Sequence, residues 1–162
     1  MSVPSVLLAL LDEAFDHKAW HGTTLLGSIR GLDATAAKWR PRPGRHNIWE
    51  IVVHAAYWKY AARRRLTGEK RASFAYAGSN WFVRPADPRA GRVALAAAFK
   101  ADVGLLVAEH RALRRAVASL SSSALGRRLG ERDRAYLIRG IAAHDLYHAG
   151  QIQLLKKMGR LQ

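Results

Sequence analysis

One stretch near the end of the chain constrains the fold more than any other. Leu137, Ile141, His144, His148, Gln151, Leu155 and Met158 follow one another at alternating steps of four and three, the spacing that lines side chains along one helix face and packs that face into a bundle. Two of these positions are imidazoles. Standing one helical turn apart, His144 and His148 project from the same side, and the stripe turns that side inward. A buried polar group without a partner costs about 1–3 kcal/mol, so the two rings either hydrogen-bond within the core or share a metal ion. An ion satisfies both at once, which favours ligation. Gln151, one turn beyond His148, is placed to orient a ligand or a water. Tyr147 falls to one side of the stripe, and Asp145 is read as a surface residue pointing away from it.

The other segments carry the same period. Apolar residues at threes and fours from Ser5 to about Arg30, followed by Gly31, predict a first helix. On it His17 and His21 also stand four apart at the edge of the apolar face, a position that suits lining a pocket better than ligation. Asp33 can cap a short turn through Lys38, and the prolines of Trp39-Arg40-Pro41-Arg42-Pro43-Gly44 predict a loop. Asn47 with Glu50 three residues later has capping-box spacing, so a second long helix should run to Thr67 and end at Gly68. His54 lies on its apolar face with Ile51, Ala55 and Trp58, the inward histidine on a second helix best placed to complete a three-imidazole set. Glu50 is either the cap alone or also an acceptor behind the site, and Trp58 and Tyr57 are candidates for its wall.

Residues 69–91 hold Gly78, Pro85, Pro88 and the aromatics Phe74, Tyr76, Trp81 and Phe82 without sustained period. A connection of that length forms a pocket wall or lid, or plugs the bundle end. A core helix follows from Arg92 to Leu120, with His110 on its seam as a fourth ligand or, preferentially, a hydrogen-bonded core residue. Residues 121–130 read as a Ser/Gly loop. Asp133 then caps the last helix, in which Gly140 and Gly150 suggest close approach of a neighbour.

Composition narrows the function classes. The chain has 162 residues, enough for a single domain spanning 1–162. With no cysteine there is no disulfide framework, thiolate ligand or thiol nucleophile. The formal charge of +15 permits an anionic partner, but the arginines are dispersed. Arg63-Arg64-Arg65 is the nearest approach to a nucleic-acid-binding patch, so nucleic acid is not the expected partner. The apolar run from Val6 to Leu11 is too short to span a membrane and lacks the basic flank of a leader, which predicts a cytoplasmic protein. No phosphate-binding glycine loop, Gly-x-Ser-x-Gly elbow or zinc-finger spacing occurs.

Three motifs together resemble a known family: Asn47-Ile48-Trp49-Glu50-Ile51-Val52-Val53-His54, Arg64-Arg65-Leu66-Thr67-Gly68, and His144-Asp145-Leu146-Tyr147-His148-Ala149-Gly150-Gln151-Ile152. The chain is similar to the DinB/YfiT-like metalloprotein superfamily, and the resemblance runs over essentially its whole length. It implies an all-α fold, a four-helix bundle with long crossover connections, and often a homodimer. It also implies a divalent metal ion, nickel or zinc, on His54, His144 and His148. Activities in the superfamily include transferases and isomerases that use low-molecular-weight thiols. The function expected is therefore a metal-dependent thiol transferase or hydrolase acting on a small molecule; the alternative is a non-catalytic metal-binding bundle with a structural or stress-related role.

Overall fold

A computed structural model describes residues 2–70 and 74–159 of the chain; the segment 71–73 of the long connection and the extreme ends of the predicted domain lie outside the described residues. The elements are α1 (Val3–Phe15), α2 (Leu25–Ile29), α3 (Ala34–Lys38), α4 (Ile48–Thr67), α5 (Arg92–Ala118), α6 (Ser122–Leu125), a two-residue hairpin of β1 (Arg128–Leu129) and β2 (Arg132–Asp133), and α7 (Arg134–Gly159). The fold is all-α apart from that hairpin. Among the described residues no helix is long and apolar enough to cross a membrane.

Four of these helices build the bundle. α4 packs along α5 and α7, and α1 packs along α7 and α5, so each long helix has two neighbours and every apolar stripe meets another. One apolar cluster gathers Phe15, Leu25, Trp49, Val52, Phe99, Leu106 and Ile152, and a second gathers Leu7, Leu11, Leu66, Leu113, Leu125 and Ile138. Each such side chain contributes roughly 1.5–3 kcal/mol by leaving water.

Local chemistry sets the helix ends. The Asn47 side chain accepts from the Glu50 amide at 2.8 Å while the Glu50 carboxylate reaches back to the Asn47 amide at 3.3 Å, closing the capping box. Gly68, at φ 75°, ends α4 in the left-handed conformation that glycine adopts at little cost. Asp33 caps α3, and Asp133 accepts from the Tyr136 amide at 2.6 Å at the start of α7.

Several expectations are corrected. The first helix does not run from Ser5 to Arg30. It stops at Phe15, Gly22 turns at φ 94°, and Thr24 caps a separate short helix by accepting from the Gly27 amide. Local capping thus outcompetes a period that continues by coincidence through Ala19 and Gly22. The Ser/Gly loop contains α6 and the hairpin, because Ser121 caps one turn and Gly130 (φ 71°) closes the β-turn. Gly140 and Gly150 are not sites of close approach, since a Cβ at either would meet nothing within 4 Å.

The largest correction concerns Asp145. Burial on α7 centres on Ile138, Ile141, Ala142, Asp145, His148, Ala149 and Ile152, the row beside the stripe read from the sequence. Asp145 is fully buried and takes a short ion pair from Lys59 of α4, itself fully buried. Two long polar side chains can sit there only because each neutralises the other; removing one leaves an uncompensated charge in the core. Burial pushes the Asp145 carboxyl upward, and the Lys59 ammonium opposes it. The ammonium also lies 4.9 Å from the Phe15 ring centre, which stacks on His110 at 3.7 Å on its way across the core.

Asp145→Ala or Lys59→Ala should therefore lower unfolding free energy by about 3–5 kcal/mol in urea titrations, whereas Lys59→Met with Asp145→Leu should recover most of it. Equal losses in the single and double variants would show that volume, not charge, decides. Gly140→Ala, on an open helix face, should add up to about 1 kcal/mol in the same assay.

Candidate metal centre

His54 on α4 and His144 and His148 on α7 converge. Their ligand atoms lie within 4.8 Å of one another, and the His144 Nε2 stands 3.1 Å from both the His54 Nε2 and the His148 Nε2. Metal–nitrogen bonds of about 2.0–2.1 Å require neighbouring nitrogens to be roughly 2.9–3.4 Å apart for angles between octahedral and tetrahedral. The spacing fits.

The tautomers decide what these nitrogens can do. The His54 Nδ1 faces the backbone carbonyl of Asn80 at 2.8 Å, and the His148 Nδ1 faces the Gln151 Oε1 at 2.7 Å. Both partners only accept, so both Nδ1 atoms donate and both Nε2 atoms present lone pairs. The His144 Nε2 could donate a proton to only one of them. A cation at the convergence point satisfies all three at once. Burial holds the His54 imidazole down at about 4 and, with the neighbouring histidines, the His144 imidazole at about 3; burial lowers His148 as well. All three are neutral near pH 7, the form in which imidazole binds metals.

The wall around the rings comes from the long connection. Trp81 stacks on His54 at 3.8 Å and 12°, and His46 stacks on the other end of this column against Trp81 at 3.6 Å and 5°. Asn80 sits at φ 67°, a left-handed conformation that asparagine tolerates. That turn aims its carbonyl at His54, while its side chain accepts from the Trp58 indole at 2.9 Å. Trp58 lies 6.4 Å from His54 and 6.3 Å from His144, completing one side. Tyr147 is exposed, 5.1 Å from His148 by ring centres, and its hydroxyl accepts from the Gln151 amide at 3.0 Å. Gln151 therefore orients His148.

Across most of its length, from residue 17 to 152, the sequence matches the family model of the DinB superfamily. The chain belongs to the DinB superfamily. No curated protein and no solved structure shows significant similarity to it.

In this DinB-superfamily chain the remaining sequence candidates lie elsewhere. His110 is buried beneath Phe15, with its Nδ1 unpartnered among the described residues and its pKa lowered by burial to about 3; it is outside the group that could hold an ion. His17 and His21 lie on the exposed loop after α1 rather than on a helix, His17 paired with Asp16 at 2.7 Å. Glu50 touches none of the three ligands. Its buried carboxylate receives Arg40 through both oxygens and the His46 Nδ1 at 3.1 Å, and so acts on the site through the His46–Trp81 stack.

Sequence reasoning missed three residues: Asn80, His46 and Lys59. Asn80 carried a faint signal, an asparagine in a Gly-Ser-Asn run that suits a left-handed turn. His46 stands four before Glu50, but its stacking on Trp81 spans 35 residues and leaves no local trace. Lys59 among apolar neighbours was the visible sign of a buried charge.

His148→Ala should abolish retention of a divalent ion, read by elemental mass spectrometry of untagged protein. The pH dependence has a definite sign. An unfolded chain takes up protons on these imidazoles near 6.5, while the metal-free fold refuses them until about 4 at His54 and about 3 at His144. Stability of the metal-free protein should thus fall as pH drops from 6.5 towards 4, and a urea midpoint unchanged across that window would contradict the burial of these rings.

Proposed function

We propose that the chain is a divalent-metal-dependent enzyme, of the thiol-transfer or hydrolytic type, with His54, His144 and His148 as the ligands of zinc or nickel. The observation that carries this reading is the convergence of the three imidazoles, with the His54 and His148 Nε2 atoms each 3.1 Å from the His144 Nε2 and the outer nitrogens of His54 and His148 already committed to Asn80 and Gln151. A bound ion supplies Lewis acidity, lowering the pKa of a water or a thiol in its open positions.

The chain's own residues do the rest. Asn80 and Gln151 hold two rings in the ligating tautomer, which strengthens them as donors. Trp81 and Trp58 shield the rings from bulk water and raise the strength of nearby electrostatic interactions. His144 stands at the half-buried edge of the α7 stripe, so the set is open on one side rather than sealed in the core. The buried Glu50 carboxylate holds His46 through its Nδ1 and so keeps that ring stacked on Trp81.

Three protein donors favour catalysis over a purely structural ion. Structural zinc commonly takes four protein ligands, and His110, the residue that would have made a fourth, is packed against Phe15 instead. The arginine cluster of α4 is partly consumed within the fold: Arg63 pairs with Glu69 at 2.5 Å and approaches Glu109 at 3.5 Å, which leaves less of it for nucleic acid.

Zinc- and nickel-loaded protein should turn over members of a panel of p-nitrophenyl esters or of low-molecular-weight thiols paired with electrophiles, and His148→Ala should not. Gln151→Leu should keep the site but weaken metal affinity about 10–100-fold in chelator competition. Stoichiometric metal with no turnover of any member would favour the non-catalytic bundle.

A further inference from the structure

A cleft of about 660 Å³ lies next to the histidine set, between the loop after α3 and the outer edge of α7. Trp81 and Gln151, the residues that touch His54 and His148, form its wall towards the metal centre. Its floor is apolar: Ile51, Leu155, and the exposed Leu154 and Met158. Every charged or titratable group lining it is basic, namely Arg42, Arg45 and His46.

That polarity is not a simple result of the protein's net charge. The cleft at the start of α7 sets Arg128, Arg132 and Arg139 against Glu131 and Asp133, and the grooves beside α3 include Asp33. The carboxylate that touches the cleft's His46, Glu50, is occupied by Arg40, His46 and the Asn47 and Arg84 amides. The guanidinium groups of Arg42 and Arg45 have no ion-pair or hydrogen-bond partner among the described residues. Each is a fork of donors suited to a planar or tetrahedral oxyanion.

We propose that this cleft binds a small molecule with an apolar body and an anionic head, the head held by Arg42 and Arg45 and the body on Ile51, Leu155 and Met158. Its reactive end points past Trp81 and Gln151 to the histidine set. Only the description of this molecule as a substrate rests on the enzymatic reading above; the binding itself does not.

The test is isothermal titration with 4-phenylbutyrate, 4-phenylbutyl phosphate and neutral 4-phenylbutyramide, which share one apolar body. Metal-free and zinc-loaded wild type, Arg42→Ala/Arg45→Ala and His148→Ala are compared. At least one anion should bind metal-free wild type about tenfold tighter than the amide, and the two anions together show whether carboxylate or phosphate is preferred. The arginine double variant should lose that preference while retaining zinc; His148→Ala should keep it.

The proposal is overturned if neither anion binds, if the amide binds equally well, or if the double variant keeps the preference. It is also overturned if the preference requires zinc and vanishes in His148→Ala, since the anion then sits on the ion. A cleft covered instead by a second copy of the chain would appear in light scattering as a dimer that excludes all three ligands. Wild type that prefers the anions but retains no zinc would sink the metalloenzyme reading and leave this one standing.

Discussion

The ion pair between Lys59 and Asp145 is the constraint on which the convergence of the three histidines depends. It joins α4 to α7 in the dry interior, five residues from His54 on one helix and directly beside His144 on the other. Apolar packing alone tolerates sliding and rotation of helices, because a leucine contact is nearly as good after a small shift. A buried pair is not so tolerant, since displacement exposes each charge to a medium that cannot solvate it. The pair therefore sets the register in which imidazoles from two helices meet at 3.1 Å.

The long connection performs the complementary task. It is held at one end by a polar network in which Asp102 of α5 accepts from the Trp49 indole, the Tyr76 hydroxyl and Arg84. The Arg84 backbone meets Asn47 and Glu50 of the α4 capping box. With its base fixed this way, the chain delivers Asn80 and Trp81 onto His54 without a regular element of its own. The capping box thus has two roles: it starts a helix and anchors the wall of the site. Glu50 also holds His46, so one buried carboxylate links the helix start, the loop and the basic cleft.

Much of the site was legible because it is written in local periods. The four-residue spacing of His144 and His148 means one helix face wherever that helix packs, and His54 shares a stripe with residues that had to be inward. The stripe of Leu137, His144, Gln151 and Leu155 is one edge of the buried face, and Asp145 lies at its centre. Hydrophobic periodicity cannot see a buried charge whose partner is 86 residues away; it assigns every carboxylate to the surface. His144 therefore stands half-buried, while His54 and His148 are buried.

What the sequence determined by itself was the long helices α4, α5 and α7, the caps at Asn47, Gly68 and Asp133, and the three histidines that could share an ion. Those features depend on residues within a turn or two of each other, where helix geometry leaves little choice. Tertiary structure decided what lies between distant segments. It ended the first helix at Phe15, moved His17 and His21 out to a loop, sent His110 under Phe15, and stacked His46, Trp81 and His54 into one column. It also decided the charge of the neighbouring cleft, by spending Glu50 on Arg40 and leaving Arg42 and Arg45 unpaired among the described residues. Such pairings depend on where two helices and a loop come to rest, and no local period encodes that.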